Sequence, residues 1–391
     1  MRLAGLAVTI GLFSRQRHFF MTPTAGTQPP TGINTWPTWV GLGLVRIIGS
    51  LPNQWLNALC RGVARLSLRH NSRQARAIGI NLAACFPDLT SVQRTALHHQ
   101  YLAAFYRVIL LSPRVWWGSE EVVKRMTRYC GREHLDQAID TGRPVILLVS
   151  HTVALDAGLI CMTRDYPLQG LYKSFKNPVL DAVVYRARTR FGGQLTHRQA
   201  GLRPAVKALK RGRILSYFGD EDLGKTDAVF APFFAHQKAT LTVLPRLATN
   251  SDALVVPMAS YYNASDNTIE INLLPALPAF ADPGCQNADR EDLDRKNRSR
   301  KDLDSNDGYR NDVSPQSSDH KASGYKTSGH KTSGRVLTRQ AAMINRAIED
   351  TIALCPEQYL WKLRLFKTCP TGQALSRYLQ IERGQLKVEE L

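Results

Sequence analysis

No acidic residue occurs before Asp88, although the first 87 residues contain nine arginines. Such a stretch cannot neutralise itself, so it favours an anionic partner: lipid headgroups, an acidic carrier protein or nucleic acid. The seven cysteines, at 60, 85, 130, 161, 285, 355 and 369, are scattered, and no two fall at metal-ligand spacing. That pattern excludes a cysteine zinc site and a disulfide framework, and favours reduced thiols on the cytoplasmic side; no metal is expected. No apolar run is long enough to make a comfortable membrane span. The main candidate, Trp36 to Leu51, reaches about 24 Å as a helix, short of the ~30 Å hydrocarbon core. It is also interrupted by Arg46 and ended by Pro52. Apolar Met1 to Phe13 is followed by Ser14-Arg15-Gln16-Arg17-His18 with no small-residue cleavage site, which argues against a cleaved secretory signal. Residues before Met21 read instead as an extension, and Thr22 to Thr35 as a loose linker.

What is present is enough apolar material for a sizeable core: 391 residues, 43% hydrophobic, with a net charge of +19. Trp55 to Leu68 reads as an amphipathic helix with Arg61, Arg65 and Arg69 down one stripe, the pattern of a helix lying in the headgroup region. Residues 36–70 therefore form a membrane-associated helical segment in this reading. A helix ends at Pro87 and another runs from about Ser91 to Leu111, followed by Trp116 and Trp117. Beyond residue 143 strand and helix patterns alternate. Strands are expected at Val145–Val149, Gly170–Tyr172, Ile214–Phe218, Leu254–Tyr262 and Thr268–Leu274. Helices are expected at Pro178–Arg190, Leu202–Lys210 and Thr240–Ala248. This alternation predicts an α/β domain, a central sheet flanked by helices, over 71–280. From 281 to 335 large apolar residues almost vanish, and a pentapeptide repeat of the type Tyr325-Lys326-Thr327-Ser328-Gly329 appears. That segment is expected to be a disordered insertion. Order is expected to return with a helix over Leu337–Leu354, so that 336–372 completes the domain and 373–391 is a tail.

The chemistry points to one corner. Val145 to Val149 reads as a buried strand and Thr152 onward as a helix, which puts His151 in the turn between them. His151 and Asp156 are five residues apart. On one helix they would diverge by about 140°, so an encounter requires His151 to lie in the loop and fold back. An imidazole held there by Asp156, next to a helix N-terminus that disfavours its charged form, is a general base able to activate a hydroxyl. Ten histidines and 32 acidic residues give about one such pair by accident, so the pair gains its weight from following a buried strand.

Several blocks then resemble the late acyltransferase family of lipid A biosynthesis, a lysophospholipid-acyltransferase-like group. They are Asn81 with Cys85-Phe86-Pro87; His151 to Asp156; Asn177-Pro178 with Leu180-Asp181, Arg188 and Arg190; Asp220-Glu221-Asp222 with Gly224, Phe230, Pro232 and Phe233; and Pro356-Glu357-Gln358-Tyr359 with Trp361, Arg364, Phe366-Lys367 and Pro370. The family more often carries Glu where Asp156 stands. The resemblance implies a glycerolipid acyltransferase-like sheet and transfer of an acyl chain from acyl carrier protein to a hydroxyl of a Kdo-containing lipid A precursor. It places the reaction at the cytoplasmic face of the inner membrane, with no cofactor. It assigns His151 as base and Asp156 as its partner. Arg188 and Arg190 are assigned to phosphate or developing negative charge, and Asp220 and Asp222 to organising arginines or acceptor hydroxyls. Tyr172 and Lys173 are further substrate-binding candidates. Two alternatives stand beside this reading: an acyltransferase for another phospholipid or glycolipid, and a non-enzymatic basic protein binding nucleic acid or membrane. No nucleic-acid fold motif supports the nucleic-acid reading, and none is expected as a partner.

Overall fold

The computed structural model describes residues 29–70, 72–280, 328–370 and 376–388. The N-terminal extension before residue 29, and the expected insertion up to residue 327, lie outside the described residues. From the N-terminal side, helices α1 (Trp36–Gly49) and α2 (Asn53–Leu68) are followed by α3 (Arg73–Cys85) and the long α4 (Ser91–Trp117). Thr90 and Gln93 form a reciprocal capping box that starts α4. That helix runs through Pro113 to Trp117, past the expected end at Leu111. Leu56, Cys60 and Ala64 recur every four residues on α2 and are buried, giving it an inner face, and both N-terminal helices pack on α4. α1 closes on α4 at Gly49, where any Cβ would sit 2.2 Å from the Leu110 carbonyl oxygen. Among the described residues no helix is long and apolar enough to cross a membrane.

Helices α5 (Glu120–Met126) and α6 (Arg132–Asp140) flank the short strand β1 (Thr127–Cys130), and β2 (Val145–Val149) follows. Next come α7 (Leu155–Met162), β3 (Leu168–Tyr172), α8 (Pro178–Thr189), β4 (Gln194–His197), α9 (Arg203–Leu209) and β5 (Ile214–Phe218). A hairpin of β6 (Ala228–Phe233) and β7 (His236–Leu241) leads into α10 (Val243–Ser251), β8 (Leu254–Asn263) and β9 (Thr268–Leu273). The chain finishes with α11 (Ser328–Leu354) and the short α12 (Arg377–Glu382). The sheet runs β1-β9-β8-β2-β5-β3-β4, and only β8 and β9 pair antiparallel within it. This is the expected α/β architecture: a mostly parallel sheet covered on both faces.

β2 shows why its sequence is uninterruptedly apolar. Ile146 and Leu148 enter one core with α3, α9, α10 and α11; Val145, Leu147 and Val149 enter the other with α4, α5, α6 and α7. Side chains alternate across a strand, and a strand buried on both faces has no polar position left. Each such side chain contributes about 1.5–3 kcal/mol by leaving water.

The expected helix over Thr240–Ala248 is corrected: residues 236–241 are β7, and α10 starts only at Val243. The hairpin was hidden because Pro232 interrupts the strand pattern of β6 and His236-Gln237-Lys238 opens β7 with polar residues. The helix expected from Leu337 instead begins at Ser328.

Candidate active site

β2 ends at Val149 and α7 begins at Leu155, so His151 lies in the loop at the carboxyl edge of the central strand. Backbone bonds fix that loop. Ser150 N–H donates to the Met258 carbonyl at 3.1 Å, and the Thr152 hydroxyl donates to the Ser260 carbonyl at 2.6 Å. From the C-terminal side, residues 356–360 form a strap across it: Val153 N–H donates to Gln358 O, and Leu360 N–H to His151 O, both at 2.8 Å. Thr152 and Tyr359 form an isolated antiparallel bridge.

The carboxylate that holds the imidazole comes from the next strand. β5 is the parallel neighbour of β2, with Phe218 level with Val149, and Asp220 follows it by two residues. Gly219 makes the close passage possible, since a Cβ there would lie 2.9 Å from Leu148 Cδ1 and 3.2 Å from Ile344 Cγ2. Asp220 is 0% exposed. Its Oδ1 meets His151 Nδ1 at 2.6 Å, and its Oδ2 accepts from the His151 amide at 2.7 Å and the Tyr359 hydroxyl at 3.0 Å. The His151 ring also packs against Phe218 with centroids 4.8 Å apart. With Nδ1–H committed to Asp220, the neutral ring carries its lone pair on Nε2. That nitrogen is 3.8 Å from Glu221 Oε1, on a carboxylate 40% exposed.

The sequence expectation that Asp156 orients His151 is therefore corrected. Asp156 stands on the first turn of α7, and its Oδ1 instead accepts from Arg188 Nε at 2.5 Å, from the last turn of α8. No Nη atom of Arg188 has a hydrogen-bond partner among the described residues. The expected protonation bias is corrected as well. Burial disfavours the imidazolium, but Asp220 and then Glu221 outweigh it and raise the His151 pKa above its ordinary value. For Asp220, burial would raise the carboxyl, yet His151, the hydrogen bonds to it and Lys238 hold it below the usual carboxylate range.

The other candidates divide. Arg190 donates through Nη1 to the carbonyls of Val115 and Trp116 and through Nη2 to that of Gly118, so it caps the C-terminus of α4 and is spent there. Asp222 accepts from the Gly224 amide and from both the amide and hydroxyl of Thr368, tying the loop after β5 to the C-terminal segment. Tyr172 is buried between Tyr185 and His197, with ring centroids 5.5 and 5.1 Å away. Lys173 is exposed just beyond the end of β3. Thus His151 and Asp220 come together, Asp156 and Arg188 form a second pair, and Arg190, Asp222 and Tyr172 serve the scaffold.

Sequence reasoning missed Tyr359 as a partner of Asp220, Glu221 beside Nε2, and Lys238, which is 0% exposed on β7. The role of Asn81 is likewise invisible in the sequence. Asn81 is buried and donates from Nδ2 to the carbonyls of Trp361 at 2.7 Å and Leu363 at 2.6 Å, while accepting from the Tyr378 hydroxyl. It staples the strap that reaches His151. Among the described residues no cluster of His, Cys, Asp and Glu is placed to hold a metal ion.

Comparison with known proteins adds an independent line. The family described as "Bacterial lipid A biosynthesis acyltransferase" matches residues 31–290. A lipid A biosynthesis acyltransferase of Haemophilus influenzae is 27% identical over 342 residues, covering 87% of this chain and 90% of that protein. The lipid A biosynthesis lauroyltransferase of Escherichia coli is 26% identical over 344 residues, 88% of this chain and 95% of its own length. The Escherichia coli lipid A biosynthesis myristoyltransferase is 26% identical over 243 residues, 62% of this chain and 75% of its own.

Proposed function

Since the chain belongs to the bacterial lipid A biosynthesis acyltransferase family, we propose that it moves a fatty acyl chain from acyl carrier protein to a hydroxyl of a Kdo-containing lipid A precursor, with His151 as general base. The observation that carries this reading is the 2.6 Å contact of His151 Nδ1 with buried Asp220, which turns Nε2 outward as a proton acceptor. Nε2 removes the acceptor hydroxyl's proton as its oxygen attacks the thioester carbonyl. The tetrahedral intermediate collapses, the C–S bond breaks, and the imidazolium returns the proton to the departing thiolate. Asp220 stabilises the imidazolium between those steps. Arg188, steered by Asp156, is assigned to negative charge on the substrate through its Nη groups.

Attachment to the cytoplasmic face of the inner membrane is part of the same proposal. Trp36, Val40, Leu44, Ile47, Trp55 and Leu59 on α1 and α2 are all exposed, at 43–67%. Arg61, Arg65 and Arg69 are also exposed, and no ion pair engages them among the described residues. Large apolar groups at helical spacing with unpaired cations beside them suit the headgroup boundary, where an acceptor lipid is anchored. The test is purified enzyme given acyl carrier protein loaded with fatty acid and a Kdo-containing precursor, with products read by mass spectrometry. His151→Ala is expected to remain folded and lose at least about a thousandfold in acyl transfer, within the range of general-base losses. Turnover near that of the wild type would remove His151 from the reaction.

A further inference from the structure

Lys238 is a fully buried ammonium, and its Nζ has no hydrogen-bond partner among the described residues. It lies on β7 opposite Ala231 of β6, with Nζ 5.4 Å from the centroid of the Phe233 ring. An unpaired buried charge is among the costlier features a fold can carry, so something must hold it there. Three consecutive carboxylates of the loop after β5, Asp220, Asp222 and Glu221, act on it electrostatically without pairing with it directly. Burial lowers the lysine pKa to about 8, and those carboxylates resist the fall, so the group remains mostly charged at neutral pH.

The charge balance gives the lysine a task. Asp220 is buried and faces His151, Lys238 and the neutral Tyr359 hydroxyl. Asp222 faces Lys238 and Arg377, while Glu349 on α11 accepts from the Phe234 amide and interacts with Arg346. Asp220 already receives three hydrogen bonds, from the His151 ring and amide and from the Tyr359 hydroxyl, and a further positive charge acting on it weakens its hold on the imidazole's proton. We propose that Lys238 is a positioning residue for this base: its buried ammonium offsets part of the charge of Asp220, so that His151 gives up its proton more readily. The inference rests on the proposed role of His151 and extends it to a residue that never touches substrate.

The test is Lys238→Met, which keeps length and removes charge, alongside Lys238→Arg, which restores charge. Two readouts are taken: the titration of selectively labelled His151 by NMR without substrate, and the pH profile of kcat/KM. In Lys238→Met both the His151 midpoint and the acidic limb are expected to move upward by about one pH unit, the order of one charge acting through an effective dielectric of about 20. The rate should fall about tenfold below the limb and recover at alkaline pH, with Lys238→Arg returning toward the wild type. A folded Lys238→Met with an unmoved His151 titration overturns the proposal. So does failure of both Lys238→Met and Lys238→Gln to fold, which would make the lysine a folding group only. The NMR reading needs no turnover, so dispensability of His151 in acyl transfer would sink the proposed function without touching the measured coupling.

Discussion

Asp220→Asn separates the two carboxylates that compete for a role beside His151. The replacement is isosteric, and its outcome follows from which bonds can be kept. Asp220 Oδ2 receives the His151 amide and the Tyr359 hydroxyl, whereas Oδ1 receives only the ring. An asparagine that places its carbonyl at the Oδ2 position keeps two bonds and turns its NH₂ toward Nδ1. The opposite flip keeps the ring bond but sets NH₂ against the buried His151 amide, stranding that donor at about 1–3 kcal/mol, and only the Tyr359 hydroxyl can adapt, by turning to accept. The first orientation therefore wins. It forces Nδ1 to accept, moves the proton to Nε2, and removes the lone pair needed for catalysis. A wrong-tautomer change of this kind in a serine protease triad costs about 10⁴ in kcat. We expect about 10³–10⁴ here, equivalent to about 4–5.5 kcal/mol of barrier. Acyl transfer by the purified variant measures the rate, and nitrogen NMR of His151 reports the tautomer directly. If Asp220→Asn stays within tenfold of the wild type while Asp156→Asn loses a thousandfold, Asp156 orients the base and the assignment fails.

Three other outcomes are expected. In a cycle of Asp156→Asn and Arg188→Gln, the double variant should be no slower than the slower single variant, because each change disables the same pair; additive losses in kcat/KM would show independent roles. Asn81→Ala strands two buried carbonyls and the Tyr378 hydroxyl, so denaturant unfolding should show a loss of about 3 kcal/mol or more, and an unchanged midpoint would contradict the staple. Because folding raises the His151 pKa, activity should fall as pH drops through that raised value. The stability gained from the protonated pair should be full below the unfolded value of about 6.5 and lost as pH rises through the folded one, as a comparison of wild type and His151→Ala in pH-dependent melts would show.

The sequence exposed the parts of the fold whose constraint is local. β2 was readable because burial on both faces leaves only apolar residues, and β5 was readable because apolar and aromatic residues occupy every position but Ser216. The His151 loop was readable because the apolar strand pattern stops at Val149 and a helical pattern follows, leaving His151 in the turn between them. The β6–β7 hairpin was not readable, since Pro232 and the polar start of β7 resemble loop. Lys238 was lost with it, because a lysine between Gln237 and Ala239 looks solvated until β7 is known to be buried there.

The misassigned carboxylate has the same origin. A motif read along the chain offers His151 only partners within reach of its own loop, and Asp156 was the acid at hand. Sheet order decides otherwise: β2 and β5 are adjacent, so residues 69 positions apart emerge side by side at the carboxyl edge. Asp220 can then bind the ring and the amide of the same histidine at once, fixing the side chain against the backbone that carries it. Asp156, on the first turn of a helix already docked on β8, is left to fix a different group, the guanidinium of Arg188. The two acids therefore govern opposite charges in the proposed reaction. One prepares the base that takes the proton, and the other aims the cation at the oxygen that becomes negative.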